Sequence, residues 1–327
     1  MIRIGIVGTG GMGRHHALQI AQRDDAQITA LCDTNAEATE RLAETIGSGT
    51  QDVARFDQWE ELLAGDVVDG VIIATPHTQH GEQVCRFLDA GVNVLVEKPM
   101  TTTVADARKI LASADSSGKV LAIAYQRHGD GRFIRARELL AGGAIGEVRL
   151  VQVIIAQDCV HLFRPGVSWR GDPALSGGGH FMDTGSHIND ILLWTTGLEP
   201  KRVQAFINQD GADVDVLTAV TVEFTNGAVG TLAYTSLSPE WREEFTFYGN
   251  DGVMRFGAAE PLMLHKRGED IVLPKAADGG STPANNFIDA ILGNAEVQAP
   301  GVCGLRVAQL TEGVYSSSQS GAPVEVG

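Results

Sequence analysis

Over the first 124 residues, short apolar runs alternate with amphipathic segments of helical length. Runs at 2–7, 27–32, 69–74, 92–96 and 119–124 read as strands, with a weaker one near Val53–Phe56. Segments at 11–23, 35–46, 58–64, 78–90 and 103–117 carry the helical period. Several of them stop at a glycine: Gly47, Gly65, Gly91 or Gly118. Strand and helix in strict alternation predict a parallel sheet covered by helices, because only a crossover helix returns the chain to start a parallel neighbour.

After Tyr125 the rhythm changes. A helix near 130–141, a long strand near 147–157, a glycine-rich turn and a helix near 180–196 lead into a strand-dominated region from 201 onward. Val214, Val216, Thr218, Val220, Val222 and Phe224 put every second side chain on one face, as in a sheet with one covered side. Runs at 228–236, 243–248 and 252–256 are expected to join it as a meander, with turns at Asn226-Gly227 and Asn250-Asp251-Gly252. A Gly/Ser/Pro-rich loop at 278–284 precedes a closing helix. The expectation is a second, largely antiparallel α/β domain over 125–327.

Length agrees with two domains, since 327 residues exceed what one hydrophobic core usually organises. A net charge of −16 argues against nucleic acid as a partner, because phosphate binding rests on clustered Lys and Arg. Cys32, Cys85, Cys159 and Cys303 show neither disulfide nor zinc spacing, which suits reduced thiols in the cytoplasm. The N-terminus lacks the features of a secretion signal, and no apolar run approaches the roughly 20 residues that span a bilayer, so no membrane is expected.

Gly8-Thr9-Gly10-Gly11-Met12-Gly13 follows the first strand and opens a helix. Such a GxGxxG hexapeptide is weak alone, but Asp33 stands at the end of the next strand, 20 residues beyond Gly13. Gly8 permits the tight turn, Gly10 lets backbone approach a pyrophosphate, and Gly13 lets helix and strand pack closely. A carboxylate at Asp33 accepts ribose hydroxyls and repels a 2′-phosphate, favouring NAD over NADP. Arg41 is the counter-argument, and reads as a surface charge. Thr75 and Pro76, after the strand at 69–74, lie where strand order reverses and are placed in the cofactor cleft, although a strand-ending turn explains Pro76 equally well.

Two further constellations carry chemistry. Glu97-Lys98-Pro99 ends the strand at 92–96, at the carboxyl edge of the sheet. A lysine there can stabilise charge developing on a substrate oxygen. The second is Gly177-Gly178-Gly179-His180-Phe181-Met182-Asp183-Thr184-Gly185-Ser186-His187. Asp183 and His187 are four apart and share a helical face, and a neutral imidazole suits proton abstraction from an alcohol.

Together GTGGMG, ATP followed by His80, VEKP, GGG followed by DxxxH, and the closing Ala-Gln-Leu-Thr-Glu-Gly-Val-Tyr-Ser-Ser resemble the glucose-fructose oxidoreductase/inositol dehydrogenase (Gfo/Idh/MocA) family over essentially the whole chain. The resemblance implies an N-terminal Rossmann domain and a C-terminal α/β domain with an open sheet, with a sugar or cyclic polyol bound between them. It implies Lys98 as polarising residue, His187 as general acid/base and Asp183 as the residue that orients both. His80, Glu97 and Lys98 join the cofactor side. Gln126 occupies the hinge where relatives usually carry the Asn of Asn-x-Arg, so it departs from the pattern. Arg127, Trp169, Arg170 and His180 fall on the substrate side, and His161 and Arg164 in the surrounding loops.

The expected reaction is hydride transfer between nicotinamide and a ring hydroxyl or ketone. Rival readings are an NAD-retaining glycosidase or lyase acting by transient oxidation, a non-catalytic NAD-binding sensor, and a metal hydrolase using His180, Asp183 and His187. No metal is assigned. The one-sided sheet calls for a covered second face, which implies a homodimer or homotetramer through the C-terminal sheet.

Overall fold

The computed structural model describes every residue except 48–52, 258–260, 267 and 274–278. The chain divides into two compact units: Met1–Gln126 with Ser281–Leu305, and Arg127–Gly280 with Arg306–Gly327.

The first unit contains strands β1 (Ile2–Val7), β2 (Ala26–Cys32), β3 (Ala54–Phe56), β4 (Gly70–Ile73), β5 (Asn93–Val96) and β6 (Leu121–Ile123). Its helices are α1 (Gly11–Ile20), α2 (Ala36–Ile46), α3 (Trp59–Ala64), α4 (His80–Asp89) and α5 (Val104–Ser117). All strand pairs are parallel, in the order β3-β2-β1-β4-β5-β6, so the topology reverses between β1 and β4. Val71, Ile72, Ile73 and Val94, Leu95, Val96 have no exposure, as strands covered on both faces require. Asn35 and Thr103 cap α2 and α5 by accepting from the N–H of Glu37 and Asp106, which ends each loop sharply.

The second unit contains α6 (Gly131–Ala141), β7 (Val148–Asp158), α7 (Pro173–Ser176), α8 (His180–Thr196), β8 (Pro200–Asn208), β9 (Leu217–Phe224), β10 (Val229–Thr235), β11 (Leu237–Gly249), β12 (Val253–Gly257), β13 (Met263–Lys266) and β14 (Glu269–Val272). Helix α9 (Pro283–Ile291) belongs to the first unit, α10 (Gly301–Ser320) is divided between the two, and β15 (Val324–Glu325) closes the chain in the second. The nine strands lie in the order β14-β13-β12-β11-β7-β10-β9-β8-β15, antiparallel except for β7 with β10. One face packs on α6 and α8 through Phe133, Phe181, Ile188, Phe245, Phe247 and Phe256.

Three expectations need correction. Residues 281–305 pack with the first unit rather than continuing a 125–327 domain, because Phe287 and Ile288 of α9 enter the core of Ile4, Ile72 and Leu95. Of the loop expected at 278–284, residue 278 lies outside the described residues. The strand expected from Val214 begins at Leu217, and Val214 and Val216 are buried instead in a small loop core with Phe163 and Ala212. The meander is also interrupted, for β7 sits between β10 and β11, and its buried Val151, Val153 and Ile155 join the core with Phe133 of α6 and Phe181 and Ile188 of α8. Among the described residues no helix is long and apolar enough to cross a membrane.

Candidate active site

In the first unit the glycines of the hexapeptide divide their roles by geometry. Gly8 has φ +89°, and a Cβ there would lie 2.6 Å from the Ala74 carbonyl. A Cβ on Gly13 would lie 1.9 Å from the Gly8 oxygen, so both positions exclude any side chain. Gly10 and Gly11 instead face open space, with nothing within 4 Å of a Cβ position. No side-chain hydrogen bond caps α1 and no acidic residue stands in its first turn. Such an open helix start suits a pyrophosphate, which backbone N–H groups and the helix dipole both attract. Met12 is exposed beside it.

Asp33 is tied to this loop, accepting from the Thr9 N–H (2.8 Å) and hydroxyl (3.1 Å) on one oxygen and from the Asn35 N–H (2.9 Å) on the other. Arg41 reaches the Glu37 carboxylate on an exposed surface, in keeping with a solvated charge. Thr75 donates its hydroxyl to Gln83 (2.7 Å), and Pro76 follows it. Gln126 is exposed where the chain leaves β6.

Two residues of the cofactor set have other partners. His80 is fully buried, its Nδ1 2.8 Å from the Pro99 carbonyl and its Nε2 2.9 Å from that of Thr75. The ring therefore ties together the loops after β4 and β5 and turns neither nitrogen toward a ligand. Burial holds it below its ordinary pKa of 6.5 against the pull of those carbonyls. Glu97 is 6% exposed and takes His16 of α1 at 2.7 Å, as well as the Lys98 N–H at 3.2 Å. It is a buried brace between the glycine-loop helix and the segment that carries the half-buried Lys98, where a surface ion pair would be the default for adjacent Glu and Lys.

Burial works against the Glu97 charge, but the His16 hydrogen bond and the charges of His16 and Lys98 outweigh it and hold the carboxyl below 4.5. A carboxyl lowered in the folded state contributes stability above its unfolded value and loses it as pH falls toward the folded one. Urea unfolding between about pH 6 and pH 3 is therefore expected to show a steeper loss of stability in the unaltered chain than in Glu97→Gln. Equal slopes would place the Glu97 contribution elsewhere.

In the second unit the triple glycine has a specific cause. Asp215, in the loop before β9, accepts from the N–H of Gly179 and of Phe181 (2.7 Å each) and from the Tyr315 hydroxyl (2.7 Å). Its backbone oxygen accepts from the His180 N–H (2.8 Å). A Cβ on Gly179 would lie 1.9 Å from that oxygen, and one on Gly178 would lie 2.2 Å from the Tyr315 hydroxyl. Burial first, and the Asp215 charge and hydrogen bond after it, push the Tyr315 phenol well above its usual range. Asp215 and Tyr315 thus seat the start of α8, a role absent from the sequence expectations because Asp215 hides inside an alternating Val214/Val216 run.

Helix α8 then carries Asp183 and His187, the two residues expected to share a face. Asp183 is 7% exposed and accepts from Arg170 Nε at 2.7 Å, and the Arg170 guanidinium lies 4.5 Å from the Trp169 ring centre. His187, half-buried, follows one turn later. Cys159 registers the local field: burial, then the Asp183 and Asp158 charges, push its thiol up to about 11 against Arg170. Trp169, Arg170 and Asp183 are therefore brought together, with His187 on the same helical face.

Other expected substrate residues are engaged elsewhere. His180 is 1% exposed, its Nε2 2.9 Å from the Gln157 side-chain oxygen, which also accepts from Thr184 (3.2 Å). Phe163 and Tyr234 present ring edges to it, so it is a core histidine rather than a pocket residue. With His180 held by Gln157 and Asp183 by Arg170, the triplet His180, Asp183 and His187 does not converge on a metal. Arg127 forms a two-pronged pair with the buried Glu243 and lies over Phe133, rather than presenting its fork to a substrate. A pair not expected from sequence, His128 with Asp190 at 2.8 Å, braces α8 from within, and Tyr234 donates to Asn189 at 2.7 Å.

With this geometry in view, residues 2–125 match the model for the oxidoreductase family with NAD-binding Rossmann fold, and residues 133–255 match the GFO/IDH/MocA C-terminal domain. The chain is 27% identical to D-glucoside 3-dehydrogenase of Escherichia coli (strain K12), over 99% of this chain and 97% of that protein. It is 24% identical to inositol 2-dehydrogenase of Rhizobium meliloti (strain 1021), over 97% and 96% of the two chains. Among solved structures, GenD2 from gentamicin A biosynthesis, in complex with NAD, superposes with a TM-score of 0.84 at 25% identity, covering 100% of this chain and 96% of that one.

Proposed function

The chain belongs to the Gfo/Idh/MocA oxidoreductase family, and from that premise we propose that it transfers hydride between NAD and a ring hydroxyl or ketone of a sugar or inositol-like polyol. The observation that carries this reading is the face of α8: a buried Asp183 fixed by Arg170 over Trp169, one turn before His187. In the oxidative direction His187 takes the hydroxyl proton while Lys98 stabilises the charge developing on the oxygen. Asp183 holds the hydroxyl toward His187. Bound NAD supplies the acceptor for the hydride leaving the same carbon. In reduction His187 returns the proton and Lys98 polarises the carbonyl. The name D-glucoside 3-dehydrogenase, carried by a relative aligned over almost the whole length, supports a pyranoside ring among the substrates.

A screen of cyclic polyols, free sugars and glycosides, read by cofactor absorbance, tests the proposal. NAD reduction with at least one neutral ring compound is expected. Glycoside cleavage without net reduction would point instead to transient oxidation and elimination.

Selectivity for NAD over NADP follows from Asp33, whose carboxylate is held at the loop while Arg41 is engaged by Glu37. Asp33→Ala is expected to lower kcat/KM for NAD about tenfold or more and to narrow the gap to NADP. Steady-state kinetics with both cofactors checks this, and an unchanged ratio contradicts it.

Self-association is proposed through the open face of the second unit's sheet. Phe206, Ala219, Ala233 and Ile154 form one row across β8, β9, β10 and β7. Phe206 is 75% exposed, and the small residues beside it floor a trough of about 400 Å³. Phe206→Asp is expected to shift sedimentation toward the monomer, and an unchanged mass rejects this face as the interface.

A further inference from the structure

Three of the four tryptophans are engaged: Trp59 by the Phe87 ring at 5.9 Å, Trp169 by the Arg170 guanidinium at 4.5 Å, and Trp194 by Arg137 at 4.4 Å and His128 at 4.5 Å. Trp241 is 66% exposed and meets neither ring nor cation among the described residues. Leu237 of β11 pairs with Asp158 of β7, and Arg242 pairs with Ala156, so Ser238–Trp241 bulge out opposite a single residue, Gln157. On these two strands the alternate positions Val153, Ile155, Phe245 and Phe247 face α6 and α8. Gln157 and Glu243 continue that face: Gln157 accepts from Thr184 of α8 and lies 2.9 Å from His180 Nε2, and Glu243 holds Arg127 over Phe133 of α6. One more step of alternation puts Trp241 on the same face, past the cover of the helices and beside Gln157. Thr184, bonded to Gln157, adjoins Asp183, and His187 follows one turn later. Gln157 is only 5% exposed, and its carboxamide oxygen takes every hydrogen bond its side chain makes. The amide nitrogen has no partner among the described residues, which leaves its two donors for a ligand.

A bare indole with an amide donor beside it matches a ring whose apolar face covers the indole while its polar edge reaches the amide. The ring that gives up hydride is not the one held there. Hydride transfer needs a centre shut off from water, and a side chain two-thirds exposed stands outside such a centre. We propose that Trp241 and the Gln157 amide form an outer subsite for a second ring, joined through a glycosidic oxygen to the ring that reacts. The shared chemistry is a ring with an apolar face, supplied by an aryl group or by another sugar. The proposal rests on the dehydrogenase reading for the reacting ring, and adds to it a separate contact for the group that ring carries.

The test compares methyl glucoside, phenyl glucoside and methyl cellobioside as substrates with NAD. In the unaltered protein at least one two-ring compound is expected to exceed methyl glucoside in kcat/KM by about fivefold, chiefly through KM. That preference is expected to fall to about one in Trp241→Ala and to survive in part in Trp241→Phe. A gain for phenyl glucoside alone assigns the subsite to an aryl group, and a gain for the cellobioside alone assigns it to a sugar. No preference in the unaltered protein, or a preference that Trp241→Ala leaves in place, overturns the proposal. A lower sedimentation mass for Trp241→Ala also overturns it, since the indole is then a contact between copies of the chain. If no glycoside reduces NAD, that result counts against the dehydrogenase reading, and binding decides this one separately. Calorimetric titration of phenyl glucoside and methyl cellobioside into NADH-loaded protein is then expected to saturate below about 10 mM with one of them, and to weaken about fivefold in Trp241→Ala. Absence of saturable binding, or binding that the alanine variant leaves unchanged, overturns the inference.

Discussion

Lys98→Met is expected to reduce kcat about a thousandfold while leaving NADH affinity within about threefold. Methionine keeps the unbranched stem and removes only the ammonium. The backbone N–H of residue 98 still reaches Glu97, Glu97 still reaches His16, and the glycine loop is untouched. What disappears is the positive charge proposed to face the oxygen as it becomes an alkoxide, an interaction that would be stronger in the transition state than in the bound ground state. Single-turnover kinetics with a fluorescence titration of NADH separates the two quantities. Turnover within tenfold of the unaltered enzyme would remove Lys98 from the mechanism, and a parallel loss of NADH binding would make it a cofactor residue instead.

Asp215→Ala is the largest expected effect on stability. It strands the buried N–H groups of Gly179 and Phe181 and the Tyr315 hydroxyl, and removes the anion from the start of α8. Each orphaned buried donor costs about 1–3 kcal/mol, so a total near 4 kcal/mol is expected. Asp215→Asn, which retains one acceptor oxygen, should lose about half as much. Activity should fall further than stability alone explains, because Asp183 and His187 ride on the helix that loosens. Denaturation midpoints together with kcat of the folded fraction measure both, and an unmoved midpoint for the alanine variant would show that α8 is seated by other contacts.

Where local structure follows from neighbours in the chain, the amino-acid sequence alone makes it legible. Strand, glycine turn, helix and a carboxylate one strand later lie within 33 residues; Gly8 and Gly13 leave no room for a side chain, Gly10 faces open space, and Asp33 accepts from the Thr9 N–H. What escapes local reading is decided at long range. Alternation assigns a face to each strand but no neighbour, so nothing local announces that β7 separates β10 from β11. An amphipathic helix shows an apolar face without saying which sheet it covers, and α9 returns to the first unit. Histidine next to a motif invites a ligand role, yet His80 and His180 spend their nitrogens on Pro99, Thr75 and Gln157. Arg127 belongs to the same class, because its partner Glu243 lies 116 positions away. The seating of α8 by Asp215 and Tyr315 joins three distant segments, and only the run of three glycines hints at it.

The measurement that bears most directly on hydride transfer follows deuterium. A neutral ring substrate found by the screen is labelled at the carbon bearing the reactive hydroxyl and incubated with NAD and the enzyme. Reduced cofactor carrying one deuterium per ketone formed, on a single face of the nicotinamide, is the result expected if His187 takes the proton and the carbon gives up its hydride. Consumption of the substrate with no deuterium in released cofactor would contradict net oxidoreduction.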